Sequence, residues 1–130
     1  MSDRTPILIG AGQLTQRDVE PAAALEPLAM MVETARRAAA DAGASDRLLA
    51  HVDTVAVVSI ISWPYKNAPK LVAERVGAHP SRLLYTTMGG NTPQWLVNET
   101  ADKIASGEVR MALLAGAEAF YTLRRARRRV

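Results

Sequence analysis

A chain of 130 residues suits a single domain over 1–130, and a composition 48% hydrophobic but only 5% aromatic describes an Ala, Val and Leu core of helices packed on a sheet. The chain contains no cysteine, which excludes disulfides, thiolate zinc sites and a cysteine nucleophile within it. The formal charge of +3 comes from a basic tail at 124–130, since subtracting the five positive charges of Arg124, Arg125, Arg127, Arg128 and Arg129 leaves −2 for the rest.

Such a tail suits a solvated helix end, or contact with an acidic partner or more chain. Without interleaved aromatics or a recognition motif it does not point to nucleic acid. No apolar run approaches the roughly 20 residues of a membrane span. The opening Met1-Ser2-Asp3-Arg4-Thr5-Pro6 lacks the regions of a signal peptide. A cytoplasmic protein is expected.

Pro6-Ile7-Leu8-Ile9-Gly10-Ala11-Gly12 reads as a first strand, apolar throughout as in a central parallel strand covered on both faces. A polar, proline-punctuated connection follows over 13–27. Leu28, Met31, Val32, Ala35, Ala38 and Ala39 recur at helical spacing and predict a helix over 28–42, stopped by Gly43. Ser45 or Asp46 caps a short helical turn. Asp53-Thr54-Val55-Ala56-Val57-Val58 is the second strand, rich in β-branched residues. The loop 59–67 carries Trp63 and Tyr65, which cover the core or line a pocket.

Pro69 and Gly77 bound a helix over 68–77. A third strand is expected over 83–87, a helix over 92–106 stopped by Gly107, and a fourth strand over 109–115. The order β-α-β-α-β-α-β implies an α/β fold, with a mostly parallel sheet and helices on both faces. Ligands of such sheets bind at the carboxyl ends of strands. Here those ends are 10–12, 59–65, 89–92 and 116–118.

The chemistry centres on 83–97. The strand enters Gly89-Gly90, then Asn91 or Thr92 caps a helix whose first turn holds Pro93, a residue that loses no hydrogen bond there. This is the geometry of a nucleophile elbow or oxyanion cradle, yet no nucleophile is present. Thr86, Thr87 and Thr92 have no identifiable base beside them. His51 and His79, the only histidines, stand isolated and make no metal site. Gly10-Ala11-Gly12 is an incomplete dinucleotide fingerprint, with Thr15 where the third glycine belongs. Glu118, at a strand end, reads as a loop anchor.

The runs Gly90-Asn91-Thr92-Pro93-Gln94-Trp95-Leu96-Val97, Ile104-Ala105-Ser106-Gly107-Glu108 and Leu113-Leu114-Ala115-Gly116-Ala117-Glu118 resemble the N-terminal half of thiolases. Those enzymes carry a Cys-Gly-Ser-Gly-like elbow, a helix ending Ile-Ala-x-Gly-(Asp/Glu) and a strand ending Ala-Gly-Gly-x-Glu. Thr5 to Gln13 looks like the first strand of proteins near the sterol-carrier-protein thiolases. Aligned from Ile104-Ala105-Ser106-Gly107, the family's nucleophilic cysteine falls on Gly90.

The resemblance implies an acyl-CoA acyltransferase of the acetyl-CoA acetyltransferase type, in lipid metabolism. It needs no cofactor beyond the CoA thioester as substrate or ligand, and Gly90, Asn91, Thr92 and Gln94 form an amide-rich cradle for the thioester oxygen. Because thiolases join two similar halves, this chain is expected to be a fragment or a subunit beside a chain supplying the second half. A homodimer through 83–87 is the other expected association. The glycine at the nucleophile position allows two further readings, a catalytically silent binding or assembly subunit and a partner in retro-aldol cleavage of acyl-CoA side chains.

Overall fold

Thr54, Val55, Ala56 and Val57 are all buried, at 1% exposure or less. A strand covered on both faces must be apolar on both, and this one is except for Thr54. In the computed structural model, which describes residues 3–128, they form β1 (Thr54–Val57), the middle of a three-stranded sheet. β2 (Arg82–Tyr85) and β3 (Ala112–Ala115) flank it, both parallel to it. Val55 lies between Leu83 and Leu113, and Ala56 between Leu84 and Leu114.

Side chains alternate along a strand, so the sheet presents two faces. Val55 and Val57 pack with Leu28, Met31 and Val32 of α1 (Pro27–Asp41) and with Val72 and Ala73 of α2 (Ala68–Val76). Trp63 and Tyr65 pack against the same cluster, so both aromatics of the 59–67 loop cover the core. The other face carries Leu114 toward Leu96 of α3 (Thr92–Ala105). Helices therefore flank the sheet on both sides. A further helix, α4 (Phe120–Arg128), follows β3.

Local chemistry sets the boundaries. The Asn67 side chain accepts from the Lys70 N–H at 3.4 Å, Pro69 sits in the first turn, and Gly77 closes α2 at φ 75°, a conformation that favours glycine. Ser45 Oγ accepts from the Arg47 N–H at 3.3 Å and starts a 3-10 turn, Asp46–His51. A second 3-10 turn, Pro21–Ala23, lies inside the expected 13–27 connection.

The expected first strand over 6–12 does not form. Ile7, Leu8 and Ile9 are 73%, 87% and 47% exposed, and the segment has no ladder partner in the sheet. An apolar run becomes a strand only beside another strand that satisfies its backbone. Here it is pinned to α1 instead. Asp41 Oδ2 accepts from the Ala11 N–H at 2.8 Å, and Arg37 Nη1 donates to the Gln13 carbonyl at 2.9 Å. Gly10 and Gly12 lie so close to the α1 backbone that a Cβ on either would strike the carbonyl oxygens of Ala38 and Thr34. The glycines after the apolar run serve helix contact. The basic tail is helical as far as Arg128, and its last two residues, like Met1 and Ser2, lie outside the described residues.

α1 begins without a cap from Glu26, and Tyr65 takes that place. The Leu28 N–H donates to the Tyr65 hydroxyl at 3.0 Å, which donates to Glu26 Oε2 at 2.9 Å. Burial pushes the Tyr65 pKa up to about 12, and the Glu26 carboxylate adds to the rise against the opposing Leu28 N–H. The ordinary tyrosine value is about 10. With the folded value above the unfolded one, Tyr65 contributes stability that is intact below about pH 10 and is lost as pH rises through about 12. Tyr65→Phe, with no proton to lose, should flatten this alkaline decline, as read from urea midpoints at about pH 9 and about pH 11.5. Equal declines in both proteins would contradict the assignment.

Candidate functional site

Two features meet at the carboxyl end of the sheet: the turn that starts α3, and a cavity beneath that helix. In the turn, the Thr92 N–H donates to the Gly89 carbonyl at 3.1 Å and the Trp95 N–H to the Asn91 carbonyl at 3.0 Å. Asn91 stands at the cap position but makes no side-chain cap bond, and neither does Thr92 play that part. Their oxygens instead fold over Gly89, where a Cβ would come within 2.8 Å of Thr92 Oγ1 and 3.0 Å of Asn91 Oδ1. A side chain at 89 would press on both side-chain oxygens and displace them, so the glycine leaves room for them to fold over the turn.

Gly90 differs. It is exposed, and nothing lies within 4 Å of where its Cβ would stand. Gln94 is exposed and donates through Nε2 to Asn98 Oδ1 at 2.9 Å, one turn along the same helix. Thr92 is 8% exposed. The cradle is polar, but it is poorer in amides than the sequence suggests. The Thr92 N–H is spent within the turn and Pro93 has none, which removes two of the first-turn donors a helix normally offers. What gathers over Gly89 is a pair of side-chain oxygens, and the space at Gly90 is open.

The cavity, of about 460 Å³, lies between Pro93, Leu96 and Val97 of α3 and the ends of β1 and β3, from Val58 and Ser59 on one strand and Leu114 to Glu118 on the other. Its volume falls in the ordinary range for small-molecule sites, about 300–1,000 Å³. Apart from Ser59 and Glu118, its walls are apolar. Pro93 links cavity and turn, while Gly90, Asn91, Thr92 and Gln94 lie outside the lining. A second cavity of about 280 Å³ shares Gly116, Ala117 and Glu118 and reaches Gly12, Gln13, Thr15 and Thr34. The ends of β1 and β3 and the glycine segment at 10–12 thus line cavities, and the elbow turn at 89–92 lines neither.

Glu118 occupies the rim of both cavities as an anchor. Its oxygens accept from the Ile61 and Ser62 N–H groups at 2.6 and 2.9 Å, while Ser62 Oγ accepts from the Ala119 N–H at 2.9 Å. These bonds hold the loop after β1 against the end of β3. The Thr86 hydroxyl accepts from Ser59 N–H at 3.2 Å and the Tyr85 hydroxyl from Ile60 N–H at 3.2 Å, so the cavity mouth is fixed from three strands.

Among the described residues no histidine stands at the turn, and the carboxylate of the cavity lining, Glu118, is held by the Ile61 and Ser62 N–H groups. His51 precedes β1 and His79 precedes β2, which places both at the amino ends of parallel strands, opposite the elbow. Among the described residues, no group of three or more His, Asp or Glu side chains is placed to hold a metal ion. The arrangement can enclose an apolar chain and meet a polar group at its mouth. It contains no proton relay for activating a nucleophile. The cavity residues Leu96, Val97 and Leu114 went unassigned in the sequence because they read as ordinary core stripe. Only the gap between α3 and β3 distinguishes them.

Among solved structures, the chain is similar to a monomeric SCP2-thiolase-like protein type 1 from Mycobacterium smegmatis, at 34% sequence identity and a TM-score of 0.76. The similarity covers 89% of this chain and 24% of that one, so the chain spans about a quarter of that protein's length. No family model and no curated protein matches the chain. The parallel sheet flanked by helices is a thiolase-like fold.

Proposed function

We propose that this chain binds CoA thioesters as an N-terminal part of a thiolase-like protein of lipid metabolism, without forming an acyl-enzyme. The acyl chain enters the apolar cavity under α3, and Gly90, Asn91, Thr92 and Gln94 meet the thioester end at the turn beside Pro93. The cavity carries this reading: an apolar pocket at the carboxyl ends of parallel strands, next to a turn whose most open position is a glycine. The similarity to a thiolase-like protein supports the choice of ligand. Acyl transfer of the acetyl-CoA acetyltransferase type then belongs to the assembly with a second thiolase-like half. No cysteine is present, no histidine stands at this end of the sheet, and the one carboxylate of the cavity lining, Glu118, has both oxygens engaged by the Ile61 and Ser62 N–H groups. This favours binding without turnover over retro-aldol cleavage, which needs a base.

Trp95 flanks Leu96 in the first turn of α3 and is 51% exposed, so in a Trp63→Phe background, which removes the other tryptophan, the fluorescence reports on this site. Octanoyl-CoA should quench it at lower concentration than acetyl-CoA, because the longer chain buries more apolar surface. No response to either ligand at millimolar concentration would remove the reading.

Gly90→Cys tests whether the nucleophile alone is lacking. The open space at Gly90 should keep stability within about 0.5 kcal/mol. Intact-protein mass spectrometry after incubation with acetyl-CoA should show no acyl adduct beyond the slow background of an unactivated thiol. Rapid stoichiometric acylation would show that the turn activates a thiol without histidine. For association, the open edge of β2, where Leu83 is 40% exposed, is the surface through which two copies would pair. Light scattering decides, with a monomer mass excluding that contact.

A further inference from the structure

The arginines of α4 take no part in the cavity or the turn, and they divide into two groups. Arg125 is tied down. Its Nη1 donates to the carbonyls of Arg17 and Val19 at 3.1 and 2.9 Å, its Nη2 lies 3.6 Å from Glu20 Oε1, and its guanidinium sits 5.5 Å from the Tyr121 ring centroid. These contacts fasten the helix onto the segment before Pro21. Arg124, Arg127 and Arg128 are the opposite case. All three are exposed, and none enters an ion pair among the described residues. Their spacing of three and four puts them on one face of the helix.

Three like charges on one face of a fixed helix repel one another, and no acidic side chain of the described residues offsets them. An anion with several charges, presented in hydrogen-bonding geometry, is what guanidinium groups bind best. The position of the cluster narrows the choice. α4 begins at Phe120, two residues after Glu118 on the rim of both cavities. Arg124 is six positions beyond Glu118, and because α4 starts at Phe120 and rises about 1.5 Å per residue, the two backbones lie within roughly 15 Å of each other.

We propose that Arg124, Arg127 and Arg128 form a phosphate-binding face that takes the nucleotide end of the CoA thioester whose acyl chain occupies the cavity under α3. This rests on the functional reading above and adds to it a second attachment, electrostatic where the first is apolar. The face selects ligands for their phosphates and leaves the acyl chain to the cavity. A single-stranded nucleic acid is the competing occupant.

The experiment compares octanoyl-CoA with octanoyl-pantetheine, which carries the same acyl chain and amide arm without the nucleotide. Both are titrated into the wild-type protein and into the triple variant Arg124→Gln, Arg127→Gln, Arg128→Gln. Arg125 is kept so that α4 stays fastened, and far-UV circular dichroism checks that it does. The triple variant should bind octanoyl-CoA weaker by roughly tenfold or more, while octanoyl-pantetheine binds both proteins within about twofold. Wild-type affinity for octanoyl-CoA should fall with added salt and that for octanoyl-pantetheine should not.

Equal affinity of the two proteins for octanoyl-CoA overturns the phosphate face and leaves the acyl site standing. Loss of both ligands in a helix that has unfolded is resolved by the wild-type comparison, in which octanoyl-CoA no tighter than octanoyl-pantetheine also overturns it. If neither ligand binds the wild-type protein, the functional reading and this inference fall together. A single-stranded oligonucleotide that binds the wild type, is lost in the triple variant and leaves octanoyl-CoA unaffected assigns the face to nucleic acid instead.

Discussion

Replacing Met31 by alanine should lower the unfolding free energy by about 2–5 kcal/mol, the largest loss expected from any single truncation in this chain. Met31 is 0% exposed and belongs to the cluster in which α1 and α2 meet Val55 and Val57. Its removal takes apolar contacts from both helices and from the central strand at once. Because the sheet has only three strands of four residues each, little else stands ready to collapse into the space. A protein of this size commonly has about 5–15 kcal/mol in total, so the variant should unfold at markedly lower urea. A loss under about 1 kcal/mol would mean that the helices do not pack on β1 as described.

The second large effect concerns binding. Gly116 has no positive φ, and a Cβ placed on it would meet Val58 Cβ at 3.6 Å, an ordinary contact. Gly116 and Val58 both line the cavity under α3, so a phenylalanine at 116 starts from its wall. Gly116→Phe should therefore keep the fold and fill the space proposed for the acyl chain. Burying one methylene is worth about 0.8 kcal/mol, so excluding roughly three or four of the octanoyl methylenes costs about 2.7 kcal/mol, about a hundredfold in affinity. Octanoyl-CoA should then lose roughly a hundredfold in affinity, while acetyl-CoA, with little chain to exclude, loses far less. Isothermal titration measures both. Equal losses, or none, would put the acyl chain elsewhere.

Much of this was legible in the residues, and the physical reason differs from place to place. Asn67, Pro69 and Gly77 fix α2 through interactions within a few residues of one another, which a sequence displays directly. β1 is legible because its β-branched run is buried on both faces. The elbow is legible as a glycine turn before a proline-bearing helix start. The failed strand at 6–12 shows the opposite case: Ile7, Leu8 and Ile9 have the composition of a core strand, but pairing depends on a neighbour that local composition does not reveal.

The same holds for the site. Asn91 and Thr92 look like caps because their oxygens are good acceptors, yet both oxygens turn back over Gly89. Glu118 ends a strand, and only the tertiary fold brings the Ile61 and Ser62 amides to it. The cavity is the least legible element. Leu96 and Leu114 are good core residues by any sequence criterion, and the space between them depends on how closely α3 approaches β3. Sequence pattern orders the elements here, while long-range spacing creates the pocket.

The central claim is that the acyl chain of a CoA thioester lies between α3 and β3. Isotope-filtered NMR with octanoyl-CoA bound to labelled protein reads it most directly. Acyl methylene protons should show contacts to the methyl groups of Val58, Leu96, Val97 and Leu114. Contacts to Ile7, Leu8 or Ile9 in place of these, or none to the cavity methyls at saturating ligand, would contradict it.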